Sequence, residues 1–274
     1  MRLVDSHCHL QSDRFDADVD AVVGAAGDAG VERLLVPGWD LASSEGALEL
    51  VERFGWLDAA VGIHPHDAAR AGAGDWAAIE RLARDPRVVA IGETGIDFDR
   101  VFSPIDDQIE NLRRHLRLAL DTGKPAILHV RSPAGGRDAQ DAILEELSRA
   151  GFGAASARAS FGDRAPAVIH SFSGPVDYAR AALDLGLSIS ISGLAFRAGE
   201  EATADVAAIV PAEHLLIETD SPFLTPPGGP RRRNEPAAVA ITAAWVADRR
   251  IGRTDYVTAY DATFPRLTAS AGRT

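Results

Sequence analysis

Eight short runs of apolar and β-branched residues recur along the chain, and helical patterns separate them. Parallel strands need long crossover connections, and helices are the usual crossovers. Eight such units in 274 residues match the size of a closed barrel of eight parallel strands. We therefore predict an α/β fold of the TIM (β/α)8 barrel type, with residues 1–274 as a single domain. The predicted strands span residues 3–10, 32–38, 57–63, 88–92, 125–130, 167–170, 187–191 and 215–220.

The alternative fold is an open, doubly wound sheet, which gathers its functional residues at one switch point. Polar residues in this chain follow many strands rather than one, which favours the barrel. Residues 151–166 are rich in Gly, Ala and Ser, and we predict a loop insertion there, beside or behind the active face. Helices are predicted at 18–29, 43–54, 75–84, 106–122, 138–149, 176–185, 200–209, 235–250 and 254–267.

The composition limits the classes of function. A net charge of −12 argues against polyanion binding through bulk charge, although it does not exclude a local arginine patch. Cys8 is the only cysteine, so no internal disulfide can form, and no run of 18 apolar residues predicts a membrane span. We expect a cytoplasmic protein without a membrane association, and nothing in the sequence indicates an obligatory protein partner.

Histidines and carboxylates stand at the ends of most predicted strands. The active site of a TIM barrel is built at the C-terminal ends of its strands. His7 and His9 are two positions apart on an extended run, so their side chains point to the same side. Neutral imidazoles on a rigid element begin a metal site. The other strand-end candidates are His64 and His66, Glu93, His129, His170 and Asp220.

Six of these residues are too many ligands for one tetrahedral zinc, but they suit two divalent ions that share a bridging carboxylate. Glu93 is the predicted bridge, because Lys124, the only lysine, lies at the wrong end of its strand. We expect His129 and His170 to hold one ion with Glu93. His7, His9 and Asp220 hold the other. Imidazole and carboxylate ligands suit zinc, magnesium or manganese, so the identity of the ions stays open.

Seven motifs together resemble, in order, those of the TatD family of metal-dependent hydrolases, over residues 3 to about 267. Two positions depart from the family pattern: Ser171 stands where a cysteine is usual, and Val130 where a serine is usual. The motifs are Asp5-Ser6-His7-Cys8-His9, Gly62-Ile63-His64-Pro65-His66, Gly92-Glu93-Thr94-Gly95-Ile96-Asp97, Leu128-His129-Val130-Arg131, His170-Ser171-Phe172-Ser173-Gly174, Glu218-Thr219-Asp220-Ser221-Pro222 and Arg233-Asn234-Glu235-Pro236.

The resemblance implies a TIM barrel of the amidohydrolase superfamily with a divalent metal centre. It also implies 3′ to 5′ exonuclease or other DNase activity, which is common in the family. The positions that match the metal ligands of the family are His7, His9, Glu93, His129, His170 and Asp220.

Several residues have candidate roles around such a centre. Asp220 is expected to orient the attacking water and to take its proton. His64 is either a phosphate contact and proton donor or an ordered loop residue. Arg131 emerges on the same face as His129, where a guanidinium can grip phosphate oxygens. The run Arg231, Arg232 and Arg233 either captures phosphate or is a solvated loop. Possible base-stacking rings are Phe98, Phe102, Phe172, Phe196 and Phe223.

Three functions fit these residues. The first is a metal-dependent phosphodiesterase that acts on single-stranded DNA or DNA ends. The second is a hydrolase of carboxylic esters or amides, such as an aminoacyl-tRNA deacylase, since the same activated water would serve. The third is a non-catalytic metal-binding scaffold. The nucleic acid hydrolase is the hypothesis that the motifs favour.

Overall fold

The computed structural model describes residues 2–252 and 254–265, and its centre is one sheet of eight parallel strands in the order β1 to β8. Each strand pairs with the next along the chain, which confirms the TIM barrel prediction. The strands are β1 Leu3–Asp5, β2 Val31–Pro37, β3 Leu57–Val61, β4 Val88–Asp97, β5 Ala126–Arg131, β6 Ala167–Ile169, β7 Ser188–Ile191 and β8 Leu215–Ile217.

Ten α-helices in the described part of the chain cover the outside of the barrel. None of these helices is long and apolar enough to cross a bilayer. The predicted helix at 254–267 ends at Thr263, and residues 266 and 267 lie outside the described ranges. The helices are α1 Val19–Asp28, α2 Leu41–Phe54, α3 Ala73–Leu82, α4 Ile105–Thr122, α5 Asp138–Arg149, α6 Ala155–Phe161, α7 Val176–Asp184, α8 Ala202–Ile209, α9 Val239–Ala247 and α10 Tyr256–Thr263.

The prediction of a plain loop at 151–166 is wrong, because α6 lies within it. Alanine is the best helix former, and the buried rings of Phe152 and Phe161 lie 5.7 Å apart, which gives this short helix an apolar contact. The flanking glycines concealed the helix in the sequence. Arg164 Nη2 donates to Gly123 O at 2.9 Å, just before β5 begins, so the segment lies behind the active face.

The barrel closes between its first and last strands at the end where the predicted ligands lie. Although β1 ends at Asp5, the backbone continues in register beyond it. Ser6 N donates to Ile217 O at 3.0 Å, Asp220 N to His7 O at 2.9 Å, and His9 N to Ser221 O at 2.7 Å. The segments that carry His7, His9 and Asp220 are therefore joined by backbone hydrogen bonds.

Strand β4 is longer than predicted and contains Glu93 rather than ending before it. Its pairing with β5 shifts register between Ile91 and Thr94, around Glu93. Gly95 has φ 147°, and a Cβ there would lie 1.9 Å from His129 O. Only glycine allows this close approach, which sets β4 directly against the segment that carries His129.

Buried polar side chains of α4 hold the end of β3. His115 Nε2 accepts from Ile63 N at 3.0 Å, and its Nδ1 donates to Asn111 O at 2.8 Å. Asn111 Nδ2 donates to Ile63 O at 2.7 Å. Burial lowers the pKa of His115 to about 4, so the ring is neutral and accepts this bond near neutral pH. These contacts fix the backbone immediately before His64.

Candidate metal centre

The six predicted ligands converge, and Glu93 lies between them. Its Oε2 lies 3.2 Å from His7 Nε2 and 3.7 Å from His9 Nε2. The two imidazole nitrogens lie 3.2 Å apart. Asp220 Oδ1 completes this first group, 3.8 Å from His7 Nε2 and 3.5 Å from His9 Nε2. The first group therefore consists of His7, His9 and Asp220, which lie around one carboxylate oxygen of Glu93, Oε2.

The other carboxylate oxygen of Glu93 faces a second group. Glu93 Oε1 lies 2.9 Å from His170 Nε2, 3.1 Å from His129 Nδ1 and 3.3 Å from His64 Nε2. The rings of His7 and His170 stack at 3.9 Å, so the two groups are adjacent. The two oxygens of one carboxylate thus point to two sets of nitrogen ligands.

Hydrogen bonds on the far side of two histidines fix which nitrogen faces Glu93. His129 Nε2 donates to Asp97 Oδ2 at 3.0 Å, and His170 Nδ1 donates to Glu218 Oε1 at 3.1 Å. In the neutral rings, the remaining nitrogens, His129 Nδ1 and His170 Nε2, therefore present lone pairs to the Glu93 carboxylate. Carboxylates that orient a ligating histidine in this way are typical partners in metal sites.

The protonation of this centre is governed by its carboxylates. Burial would raise the pKa of Glu93, but His170, His64 and His7 hold it well below its usual value. Burial would lower the pKa of His170, but Glu93 and Glu218 raise it well above its usual value. The pKa of Asp220 is also lowered, by His9 above all, against the effect of burial. Both Glu93 and Asp220 are therefore charged at neutral pH.

These donors fit divalent cations. Lone pairs of imidazole and carboxylate face each other across about 3 Å, so each contact needs a proton or a cation between its partners. One ion can satisfy several such contacts at once. His7 Nδ1 and His9 Nδ1 are buried without a hydrogen-bond partner among the described residues, so protein contacts alone leave these rings incompletely stabilised.

His64 lies against the second group but differs from the ligands in its hydrogen bonding. Its Nδ1 accepts from His66 N at 3.1 Å, which leaves the proton of the neutral ring on Nε2. Burial lowers the pKa of His64 to about 4, so the ring is neutral. Its Nε2 is thus a hydrogen-bond donor that faces Glu93 and the pocket. This tautomer suits a substrate contact better than a metal ligand.

Two carboxylates, Asp97 and Glu218, lie around the ligands; Asp97 fits the expectation from the sequence of a residue that orients a ligand or closes a turn rather than binding metal, whereas Glu218 was not predicted. Asp97 also accepts from His66 Nε2 at 2.8 Å, and its Oδ1 accepts from Asp99 N and Arg100 N. Glu218 Oε1 accepts from Ser171 N at 2.6 Å. The triad of His66, Asp97 and His129 could itself hold an ion, but its atoms already satisfy one another. The available signal for Glu218 was its position two residues before Asp220, on the same extended run.

A pocket of about 580 Å³ opens above both ligand groups. Arg131 lines it, 3.6 Å from Glu200 Oε1, and two arginines that the sequence did not indicate, Arg14 and Arg100, line it as well. The other lining residues include His64, Trp39, Leu194, Pro222, Phe223 and Leu224.

The predicted arginine run is not part of this lining. Arg233 donates to Asp18 Oδ1 at 2.7 Å and lies 4.3 Å above the ring of Phe15, so its guanidinium is occupied within the protein. Arg231 and Arg232 are exposed in the loop outside the pocket. Arg232 contributes its backbone carbonyl to Arg14 at 3.5 Å. Arg233 is therefore not available as a substrate contact.

Known proteins resemble this chain in sequence and in fold. The family model described as TatD related DNase matches residues 4–263. The chain is 36% identical over 242 residues to the 3′-5′ ssDNA/RNA exonuclease TatD of Escherichia coli, covering 86% of each. It is 33% identical over 246 residues to the uncharacterized metal-dependent hydrolase YabD of Bacillus subtilis, covering 90% of each.

Among solved structures, the chain is similar to YjjV, a TatD homologue from Escherichia coli. The TM-score is 0.84 at 27% identity, and the alignment covers 96% of this chain and 98% of YjjV. A TatD family hydrolase from Entamoeba histolytica shares the fold, with a TM-score of 0.82 at 21% identity over 97% and 99% of the two chains. This chain belongs to the TatD-related DNase family of TIM-barrel, metal-dependent hydrolases.

Proposed function

We propose that the protein is an exonuclease that hydrolyses phosphodiester bonds at the ends of single-stranded DNA or RNA with two divalent ions. The observation that carries the proposal is Glu93, whose two oxygens face two separate sets of histidines. The relatives named 3′-5′ ssDNA/RNA exonuclease support the substrate and the polarity. Ions held at such a site polarise the phosphodiester and lower the pKa of a coordinated water toward 7.

The side chains around the ions have separate roles in this proposal. From their distances to the two oxygens of Glu93, His7, His9 and Asp220 would hold one ion, His129 and His170 would hold the other, and Glu93 would contact both. Glu93 and Asp220 both line the pocket, but the side chain of Asp220 is 14% exposed against 3% for Glu93, so Asp220 is the more accessible of the two carboxylates. Asp220 is therefore the base that orients the attacking water and accepts its proton.

Other side chains position the substrate in this proposal. The guanidinium of Arg131 binds a phosphate oxygen bidentately, with Arg14 and Arg100 available to the neighbouring phosphates. The Nε2–H of His64 donates to an oxygen of the scissile phosphate. The volume of the pocket is in the range of about 300 to 1,000 Å³ that holds one small ligand, which suits the end of a strand.

The two other functions are not proposed. The relatives favour neither acyl ester hydrolysis, such as deacylation of aminoacyl-tRNA, nor a scaffold without catalysis. The pocket directly above the ligands also gives a substrate access to the centre, which a scaffold does not need.

A comparison of substrates tests the proposal. The metal-loaded protein is incubated with a single-stranded oligonucleotide carrying a 5′ label and, separately, with a small aryl acetate. We expect stepwise shortening of the oligonucleotide, loss of this activity with a chelator, and recovery when zinc, magnesium or manganese is restored. Hydrolysis of the aryl acetate without cleavage of the oligonucleotide under any of these metals would refute the proposal.

A further inference from the structure

One exposed aromatic ring lies at the mouth of the pocket without a structural reason for its exposure. Of the five phenylalanines that the sequence indicates, Phe172 is buried, while Phe98 packs on the core and Phe196 lies 5.6 Å from the ring of Trp245. Phe102 and Phe223 are 69% and 52% exposed. Only Phe223 of these five lines the pocket.

The backbone that presents Phe223 is firmly held. Phe223 N donates to Asp220 O at 2.8 Å, and Pro222 O accepts from Asn234 N at 3.1 Å. Leu224 O lies so close to Gly193 that a Cβ there would come within 1.7 Å of it. The ring is thus exposed on a fixed turn three residues after a metal ligand. Because the backbone of the turn is already held, a ligand that stacks on the ring has to order only the side chain, which lowers the entropic cost of binding.

The neighbours of Phe223 form an apolar and cationic wall beside the first ligand group. Its ring lies 6.2 Å from the ring of His9 at 70°. Trp39 lies 5.3 Å from His9 at 75°, so the two aromatic side chains both contact this ligand. The Arg14 guanidinium lies 5.9 Å from the centre of the Phe223 ring, and its Nη1 donates to Pro222 O at 3.4 Å.

Another part of the pocket lining is polar. His64, Asp97 and Arg131 line it together with Arg100. The pocket therefore combines a polar part, which suits a phosphate and a sugar, with an aromatic part, which suits a flat apolar ring. Both parts adjoin the ligand groups, so one nucleotide can contact them at once.

We propose that Phe223, with Trp39 and Arg14, is the stacking site for the nucleobase next to the scissile phosphate. This inference rests on the proposed function and adds to it the part of the substrate that is recognised. Every base has a π-face, so stacking selects for a base without selecting its identity. The enzyme then prefers nucleoside phosphodiesters of any sequence to diesters that lack a base.

Two small diesters with the same leaving group test this inference. Thymidine 5′-(p-nitrophenyl phosphate) carries a base, and methyl p-nitrophenyl phosphate does not. With the metal-loaded protein, Phe223→Ala should lower kcat/KM for the thymidine diester by about 5- to 150-fold, the range expected for one base–aromatic stack. The rate with the methyl diester should stay within about 2-fold of the parent, and Phe223→Trp should restore the preference for the base.

Phe102→Ala is the matched control, because Phe102 is also an exposed phenylalanine but lies outside the pocket lining. It should leave the selectivity between the two diesters unchanged. Equal losses for both diesters in Phe223→Ala, or no loss for either, would overturn the stacking site while the proposed function stands. If the parent cleaves neither diester nor an oligonucleotide with any metal, the proposed function itself fails.

Discussion

Asp97→Asn changes one atom next to His129 and should weaken the second ligand group. Asparagine keeps Oδ1, which accepts from Asp99 N and Arg100 N, so the turn after β4 stays intact. At the position of Oδ2 it can place an NH₂ group, which cannot accept the Nε2–H of His129. The ring then favours the tautomer with its proton on Nδ1, the atom that faces Glu93.

The loss of metal affinity in Asp97→Asn can be estimated from the hydrogen bond that is removed. Asp97 Oδ2 accepts from His129 Nε2 at 3.0 Å, and a hydrogen bond to a charged group contributes about 1.5–3 kcal/mol. This corresponds to a loss of about 10- to 100-fold in metal affinity, the range typical for a partner that orients a ligand. Competition with a chromophoric chelator measures the affinity, and circular dichroism checks the fold.

His66→Gln is the control for this variant. His66 shares the same oxygen of Asp97 at 2.8 Å but belongs to neither proposed ligand group, so its replacement should change metal affinity by less than about 3-fold. A folded Asp97→Asn protein that binds metal as tightly as the parent would refute the role assigned to Asp97.

Three further predictions concern catalysis, acid stability and phosphate binding. Asp220→Asn keeps an oxygen ligand but removes the base, so metal should stay at least partly bound. At saturating substrate kcat should fall by about 10²- to 10⁴-fold, and a rate within a few-fold of the parent would exclude Asp220 as the base. The pKa of His115 is lowered from 6.5 to about 4 in the folded protein. The contribution of this neutral ring to the free energy of unfolding is therefore complete above pH 6.5 and disappears as the pH falls toward 4. Denaturant titrations measure the fall in the free energy of unfolding as the pH is lowered, and this fall should be about 3 kcal/mol smaller in His115→Gln than in the parent. An equal pH dependence of the two proteins would contradict this. Arg131→Ala should raise KM for an oligonucleotide and reduce the salt dependence of binding, whereas the double variant Arg231→Ala, Arg232→Ala should change both much less. Larger effects in the double variant than in Arg131→Ala would instead indicate that the loop binds phosphate.

The barrel and the convergence of the six candidate ligands could be predicted because both depend on local patterns. The alternation of strand and helix indicates parallel strands, and their C-terminal ends must meet at one face. His7 and His9 share a direction through the two-residue period of an extended chain, and the structure brings them to the same oxygen of Glu93. The division of the ligands between the two oxygens follows from this placement.

The rest depends on contacts between distant segments. Arg14 reaches the pocket only because the loop before α1 lies against the turn at Pro222. Arg233 looked like a substrate contact, but Asp18 and Phe15 occupy it once the barrel has closed. The sequence predicts that Asp97 orients a ligand or closes a turn, but that the ligand is His129 depends on the register of β4 against β5, which the sequence does not show.

Metal stoichiometry in Glu93→Gln tests the bridging carboxylate most directly. We expect about two divalent ions per chain in the metal-loaded parent, as in other two-metal hydrolases. His170→Ala should empty mainly the second group, since this histidine lies 2.9 Å from only one oxygen of Glu93. Glu93→Gln should weaken both ions together, because its carboxylate faces both groups. Elemental analysis after dialysis at equal free metal gives the count, and two tightly bound ions in Glu93→Gln would contradict the bridge.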